Sequence, residues 1–337
     1  MNVLADRHHA DLLYSLQRLF EDRLNYRLYV PVGRDWWDAD YWKFGQAYGD
    51  DRLAKQFLNT AAFREIEPGI FLTFDSCHPE RPIYGITLSR ARSMRWDCVI
   101  ATVQENQLGF RIFANEIGAK YLYHIGNARQ AVNWQLDPLA LDSTMIPLGG
   151  RGLHISQEFD SDSIFRYRSP RYTQRVTSFL NLLPLIPECW EPFCRLRALM
   201  PKFMFRSYGH DCPDGFLTPV AAIAEEMTLA DWAYHDKPTG DGFGHVLHCW
   251  AAIGRPLIGH ASYYQGQRAS IFWSDGISCI DLDKHSVEEA AKMITEMPED
   301  HYERMCLTIR DIFEATYDPA NDSELLARFL LKEKVAV

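Results

Sequence analysis

Apolar positions along this chain follow two rhythms: short continuous runs, and longer stripes spaced as on one face of a helix. Met1 to Ala5 is a short apolar run, followed by a polar turn from Asp6 to Ala10. Leu12, Leu13, Leu16, Leu19, Phe20 and Leu24 then share one stripe and predict a helix over 11–24, and Leu28 to Pro31 reads as a second strand. Strand, helix and strand in succession open a βαβ unit. Residues 34–60 are rich in Trp, Tyr and Asp and carry no clear period. Beyond them, strands are predicted over 70–74 and 98–103, a helix over 107–118 ended by glycine, and a strand over 120–125 with Gly126-Asn127 as its turn. This alternation predicts a parallel sheet covered by helices.

The rhythm breaks over 134–172, which holds Gly149-Gly150, several Asp and Ser, and Pro170, and the interdomain connection is placed at 160–172. It then restarts, with strands predicted over 176–180, 202–205, 232–235 and 256–258 and helices over 189–199, 218–227 and 245–253. The tail from 286 to 331 reads as helical with a polar face, broken at Pro298 and Pro319. The expected fold is α/β with two doubly wound, Rossmann-like domains: 1–165, 166–310, and a helical tail over 311–337.

Composition agrees. A chain of 337 residues is long enough for two domains, and 47% hydrophobic content supplies two cores and argues against disorder. The formal net charge of −10 gives no general attraction to nucleic acid, though it leaves room for a local basic groove. No uncharged apolar run of about 18 residues occurs, so no membrane span is expected. Nor is a secretory signal, because charge follows the first apolar residues directly. The eight cysteines form no CxxC pair and read as reduced core residues, which predicts a cytoplasmic location. No metal motif stands out.

The stretch Tyr234-His235-Asp236-Lys237-Pro238-Thr239-Gly240-Asp241-Gly242-Phe243-Gly244-His245 ends at a predicted helix start. Free amides and the positive end of a helix dipole make an anion site there, glycines let backbone approach a phosphate, and Lys237 adds a point charge. The plainer reading is a tight turn with a solvated lysine. The run from Asp241 to Ile258 resembles the donor-binding signature of GT-B glycosyltransferases: acidic-Gly-Phe-Gly, an apolar helix, Gly-x-Pro and an apolar strand. The pieces Asp6-Arg7-His8-His9, Tyr121 to Asn127 and Gln157-Glu158-Phe159 are similar to glycosyltransferases encoded by bacteriophages.

The resemblance implies a nucleotide-sugar donor held by the C-terminal domain, an acceptor held by the N-terminal domain across a cleft, and a C-terminal tail that crosses back to the first domain. Asp241 would meet sugar hydroxyls. Gly242, Phe243 and Gly244 would bring backbone amides to phosphate or sugar at the start of the helix headed by His245, and Lys237 would neutralise the diphosphate. No metal or other cofactor is implied, since protein donors stabilise the leaving group; Arg206 and Arg255 are further sources of positive charge. One position departs: retaining members carry a second acidic residue eight positions after the first to hold the ribose, and here that residue is Cys249.

Other residues read two ways. His8 and His9 follow the first strand, where a histidine can take a proton from an acceptor hydroxyl with Asp6 or Asp11 orienting it; otherwise they are exposed or capping. Glu158 contacts substrate or forms a structural ion pair. Ser178 and Asn181 bond phosphate or cap a helix. His235 lies beside the donor or packs in the core. Arg166, Arg168 and Arg171, interleaved with Tyr167 and Tyr172, suit a phosphate backbone or pair with acids; Arg90, Arg92 and Arg95 form a smaller basic group. The expected function is sugar transfer to an acceptor hydroxyl. The acceptor is a hydroxymethylated base in phage DNA, or else a glycan or small molecule. The alternatives are a nucleotide-sugar 2-epimerase and an inactive nucleotide-sugar-binding protein.

Overall fold

The computed structural model describes residues 1–7, 9–42, 57–125, 140–142, 144 and 152–332. The chain divides into two compact units, Met1–Phe159 with Pro319–Val337, and Asp160–Asp318. The first unit contains β1 (Asn2–Ala5), α1 (Ala10–Gln17), β2 (Arg27–Pro31), α2 (Arg34–Trp37), β3 (Arg64–Glu67), β4 (Ile70–Phe74) and β5 (Pro82–Ile86). It continues with α3 (Leu88–Arg92), β6 (Cys98–Ala101), α4 (Gln107–Ile117), β7 (Lys120–Ile125), β8 (Ala140–Asp142) and β9 (Gly152–His154). The nine strands order as β3-β4-β5-β2-β1-β6-β7-β8-β9. All neighbours pair in parallel except the antiparallel edge β3-β4-β5.

Each central strand divides its side chains between two cores. Val3, Ala5, Leu28, Val30, Cys98, Ile100 and Leu122 pack on one face with Leu13, Leu16 and Phe20, whereas Leu4, Tyr29, Val99, Tyr121 and Tyr123 pack on the other with Trp36, Phe110 and Phe113. A parallel sheet buried on both faces reads as a continuous apolar run. That is why 98–101 and 120–125 stand out in the sequence.

The second unit runs β10 (Arg175–Phe179), α5 (Pro187–Leu199), β11 (Met204–Tyr208), α6 (Val220–Leu229), β12 (Trp232–Tyr234), α7 (His245–Ile253), β13 (Leu257–Gly259), β14 (Cys279–Asp281), α8 (Val287–Thr295) and α9 (Glu299–Thr316). Its five strands are parallel, in the order β11-β10-β12-β13-β14. The last helix, α10 (Pro319–Lys332), belongs to the first unit, where Leu326 and Leu330 are buried against Ile155 and the β1 face.

Several elements differ from the sequence reading. The helix expected over 11–24 is regular only to Gln17 and widens into a π-helical turn over Arg18–Arg23. Strands β3, β5, β8, β9 and β14 are not anticipated by the sequence reading; β8 and β9 extend the parallel sheet inside the stretch read as irregular. Gly126-Asn127 lies outside the described residues. The units part at Phe159 and Asp318, not at 165 and 310. The Asp160 carbonyl accepts the amides of Ile164 and Phe165 at 3.1 and 2.9 Å, folding that segment into the second unit with Phe165 buried. Helix α9 also runs unbroken to Thr316 with Phe313 buried.

Leu326 is fully buried, so Leu326→Ala leaves a cavity between α10 and the sheet. It should destabilise the first unit by about 2–5 kcal/mol, read from the midpoint of denaturant unfolding.

Candidate functional site

In the second unit the winding direction reverses at β10, which has β11 on one side and β12 on the other. Ligands of doubly wound sheets sit outside the carboxyl ends of strands at such a reversal. The chain leaves β12 there into His235, Asp236 and Lys237 and reaches α7 through a glycine-rich loop.

Helix α7 is apolar all round: every residue from Leu247 to Ile253 is buried. Such a helix is enclosed rather than laid on a surface, so its ends are fixed. Its N-cap is Gly244, at φ 74°, and no side chain caps it. The first amides of a helix have no intrahelical acceptor and form its positive end. Gly244 brings no side chain to cap this end, which follows directly on the loop that carries Lys237 and Asp241.

The loop is held by two side chains from the segment after β13. The Asp241 and Gly242 amides donate to Gln267 Oε1 at 2.9 and 2.8 Å, and Gln267 Nε2 donates to the carbonyls of Thr239 and Tyr263, both at 3.2 Å. The buried Tyr264 hydroxyl accepts the Lys237 amide and donates to the His235 carbonyl, each at 3.2 Å. Gly240 has φ 64°, a conformation that favours glycine, and a Cβ there would displace the Gln267 amide from its hydrogen bonds.

Within this frame three titratable groups meet. The Asp241 carboxylate bonds the Lys237 ammonium through Oδ1, and its Oδ2 lies 2.8 Å from His235 Nε2. Burial alone would raise the Asp241 carboxyl, but the His235 hydrogen bond and the charges of His235 and Lys237 outweigh it and hold it well below the usual carboxylate range. His235 is 1% exposed, and its Nδ1 has no hydrogen-bond partner among the described residues. Beneath the loop, Phe243 stacks on His248 at 4.0 Å, and burial pushes the His248 imidazole down to about 3, leaving it neutral. Next door, the fully buried Asp236 accepts the His260 amide at 2.9 Å and bonds His260 Nδ1 at 2.9 Å. That hydrogen bond, opposed by burial, raises the His260 pKa.

The expectation for the glycine loop changes in one respect. Gly242 N–H is committed to Gln267, and Gly244 N–H donates to the Asp241 carbonyl at 3.3 Å. These two amides are engaged within the protein, so the candidate anion-binding elements are Lys237, the Phe243 amide and the first turn of α7, headed by the partly exposed His245. Ser178 also changes: its hydroxyl is fully buried mid-strand opposite Ser207, out of reach of any ligand. Asn181 Oδ1 accepts the His210 amide at 2.9 Å and so ties the turns after β10 and β11 together. Arg255 is fully buried and donates to the carbonyls of Thr228, Ala230, Arg168, Ile253 and Gly254, a structural role. Arg206 pairs with Asp214 at 2.6 Å. Arg166, Arg168 and Arg171 are exposed, and Cys249 is buried within α7.

In the first unit the winding reverses at β1, between β2 and β6. Asp6, just past β1, is buried; it accepts the Thr102 amide at 2.7 Å, the Thr102 hydroxyl, and the Asn106 side-chain amide at 2.9 Å. His9 is exposed at the start of α1, its Nδ1 3.9 Å from Asp11. His8 lies outside the described residues. A third histidine, His78, stacks on Tyr14 at 3.8 Å and places Nε2 3.3 Å from Asp11; the sequence reading missed it, for it sits in an unremarkable loop. Glu158 is buried and binds Arg23 through both carboxylate oxygens, at 2.7 and 2.8 Å, and Arg18 at 3.2 Å. A carboxylate so committed suits a structural ion pair, not proton transfer. Arg90, Arg92 and Arg95 are exposed in the same unit, and Arg92 pairs with Glu116.

Among the described residues no group of three or more His, Cys, Asp or Glu is placed to hold a metal ion, and no helix is long and apolar enough to cross a membrane.

No family model and no curated protein matches the sequence. Solved structures do match in fold. Anabaena Alr3699/HepE, crystallised with UDP, is 12% identical at a TM-score of 0.64, with 98% of this chain and 99% of that one covered. The pneumococcal O-GlcNAc transferase GtfA, in complex with UDP and GlcNAc, is 11% identical at 0.62, with 100% and 99% covered. An alpha-glucosyltransferase in complex with UDP and a 13-mer DNA is 9% identical at 0.62, with 98% and 99% covered. The chain therefore has the GT-B fold, extending over essentially its whole length.

The depressed Asp241 pKa has a defined signature. Its contribution to stability is complete above the ordinary carboxyl value of 3.8 and is lost as pH falls toward the folded value. The stability gap between wild type and Asp241→Asn should therefore narrow below about pH 4, measured by denaturant unfolding across pH. A gap independent of pH would show an unperturbed carboxyl.

Proposed function

We propose that this chain is a glycosyltransferase that takes a sugar from a nucleotide-sugar donor, with the donor bound in the second unit and the acceptor in the first. The observation that carries the reading is the charged cluster of Lys237, Asp241 and His235 at the uncapped start of buried α7. A departing nucleoside diphosphate develops negative charge, and fixed positive groups in a water-poor site stabilise it most. Lys237 and the helix end supply that charge, and this reading calls for no metal ion or other cofactor. Asp241, kept ionised by its partners, accepts hydrogen bonds from sugar hydroxyls. UDP is the first nucleotide to try, because HepE and GtfA of the same fold were solved with it.

His9 is the proposed base for the acceptor hydroxyl. It is exposed just beyond the carboxyl end of β1, its Nδ1 3.9 Å from Asp11, where an imidazole can take a proton from an incoming hydroxyl. For the acceptor we favour a modified base in phage DNA. The phage-like sequence pieces and the DNA complex of a fold neighbour support this choice.

Lys237→Ala should weaken UDP binding by roughly tenfold or more, the worth of a charge-assisted contact, measured by calorimetry. Unchanged affinity would remove the phosphate role. His9→Ala should lower turnover with a UDP-sugar and hydroxymethylated DNA while leaving UDP affinity nearly intact; full turnover would move the base elsewhere.

A further inference from the structure

We infer that Gln267, assisted by Tyr264, is the positioning residue of the donor site, an inference that rests on the donor-binding reading above. Four hydrogen bonds connect this one side chain to the backbone, two accepted from Asp241 and Gly242 and two donated to Thr239 and Tyr263. Only a side-chain amide of this length offers a two-fold acceptor and two donors together; glutamate lacks the donors and lysine the acceptor. Tyr264 bridges the same loop one turn earlier, between the Lys237 amide and the His235 carbonyl.

The neighbours of Gln267 complete the support. Arg268 places its guanidinium 5.9 Å from the centre of the Phe243 ring, and a Cβ on Gly244 would lie 2.8 Å from that of Ala269. Residues 263–269 thus underlie the whole passage from His235 to Gly244. A loop with glycines at 240, 242 and 244 would otherwise sample many conformations, and ordering it on ligand binding would cost affinity. Gln267, holding the Asp241 and Gly242 amides, and Tyr264, holding the Lys237 amide, remove that cost by fixing the loop before the ligand arrives. Gln267 acts through the loop and need not touch the ligand.

The test is a double-mutant cycle on UDP affinity, by calorimetry, with Gln267→Met and Lys237→Ala. Methionine keeps the length and removes all four hydrogen bonds. Gln267→Met should weaken UDP binding about tenfold, and the loss should largely vanish in the Lys237→Ala background, because the group being positioned is then gone. Wild-type affinity in Gln267→Met, or a loss that simply adds to that of Lys237→Ala, overturns the positioning role while leaving the donor site intact. A wild-type protein that binds neither UDP nor a UDP-sugar sinks the donor-site reading and this inference with it. Should Gln267→Met not fold, Tyr264→Phe, which removes only the bridging hydroxyl, is judged by the same criteria against Lys237→Ala.

Discussion

The amides that open α7 follow an N-cap glycine with no side chain to offset their partial positive charge, and the buried run from Leu247 to Ile253 anchors the helix just behind them. Burial is what makes the charge useful. An amphipathic surface helix can rock or fray at its first turn; a helix enclosed by α9, α6 and the sheet cannot without opening the core. The glycine loop before it inherits that fixed reference point, and Tyr264 and Gln267 supply a second one from the far side of β13.

Electrostatics then act within this rigid frame. Asp241 is held ionised by Lys237 and His235, and with His235 buried and Asp241 largely so, the carboxylate is oriented and strongly coupled to its partners. The cluster's attraction outweighs the cost of taking the Asp241 charge out of water and so keeps the carboxylate ionised. Its value is that no reorganisation is needed when a charged ligand arrives. The same chemistry is used differently elsewhere. Arg255 spends its guanidinium on backbone carbonyls at the end of α7, and Glu158 binds Arg18 and Arg23 across the first unit; both are fully committed to structure.

The two sheets show two uses of one topology. In each, the winding reverses beside the first strand of the sheet, and polar groups gather past the carboxyl ends there. The second unit gathers a compact charged cluster. The first gathers looser contacts: Asp6 locked onto Thr102 and Asn106, and Asp11 between His9 and His78.

By itself the sequence determined the alternation of elements, the restart near residue 175 and the segment from Lys237 to Gly244, because these rest on local properties. Apolar runs bury on both faces of a parallel sheet, and glycines before an apolar helix mark a tight entry whatever surrounds them. It was silent on β8 and β9, whose few residues hold no run long enough to stand out. Tertiary structure alone decided which polar groups are free to act. Glu158 is an ordinary acid until Arg18, 140 residues away, is brought against it. Ser178 looks available until the sheet buries it mid-strand, beside Ser207 of β11. Gln267 has no signal in its own neighbourhood, since its role exists only where the loops after β12 and β13 meet. The physical reason is range: helix and strand formation is set by neighbours in sequence, whereas the commitment of a hydrogen bond or charge is set by whatever the fold places within about 3 Å.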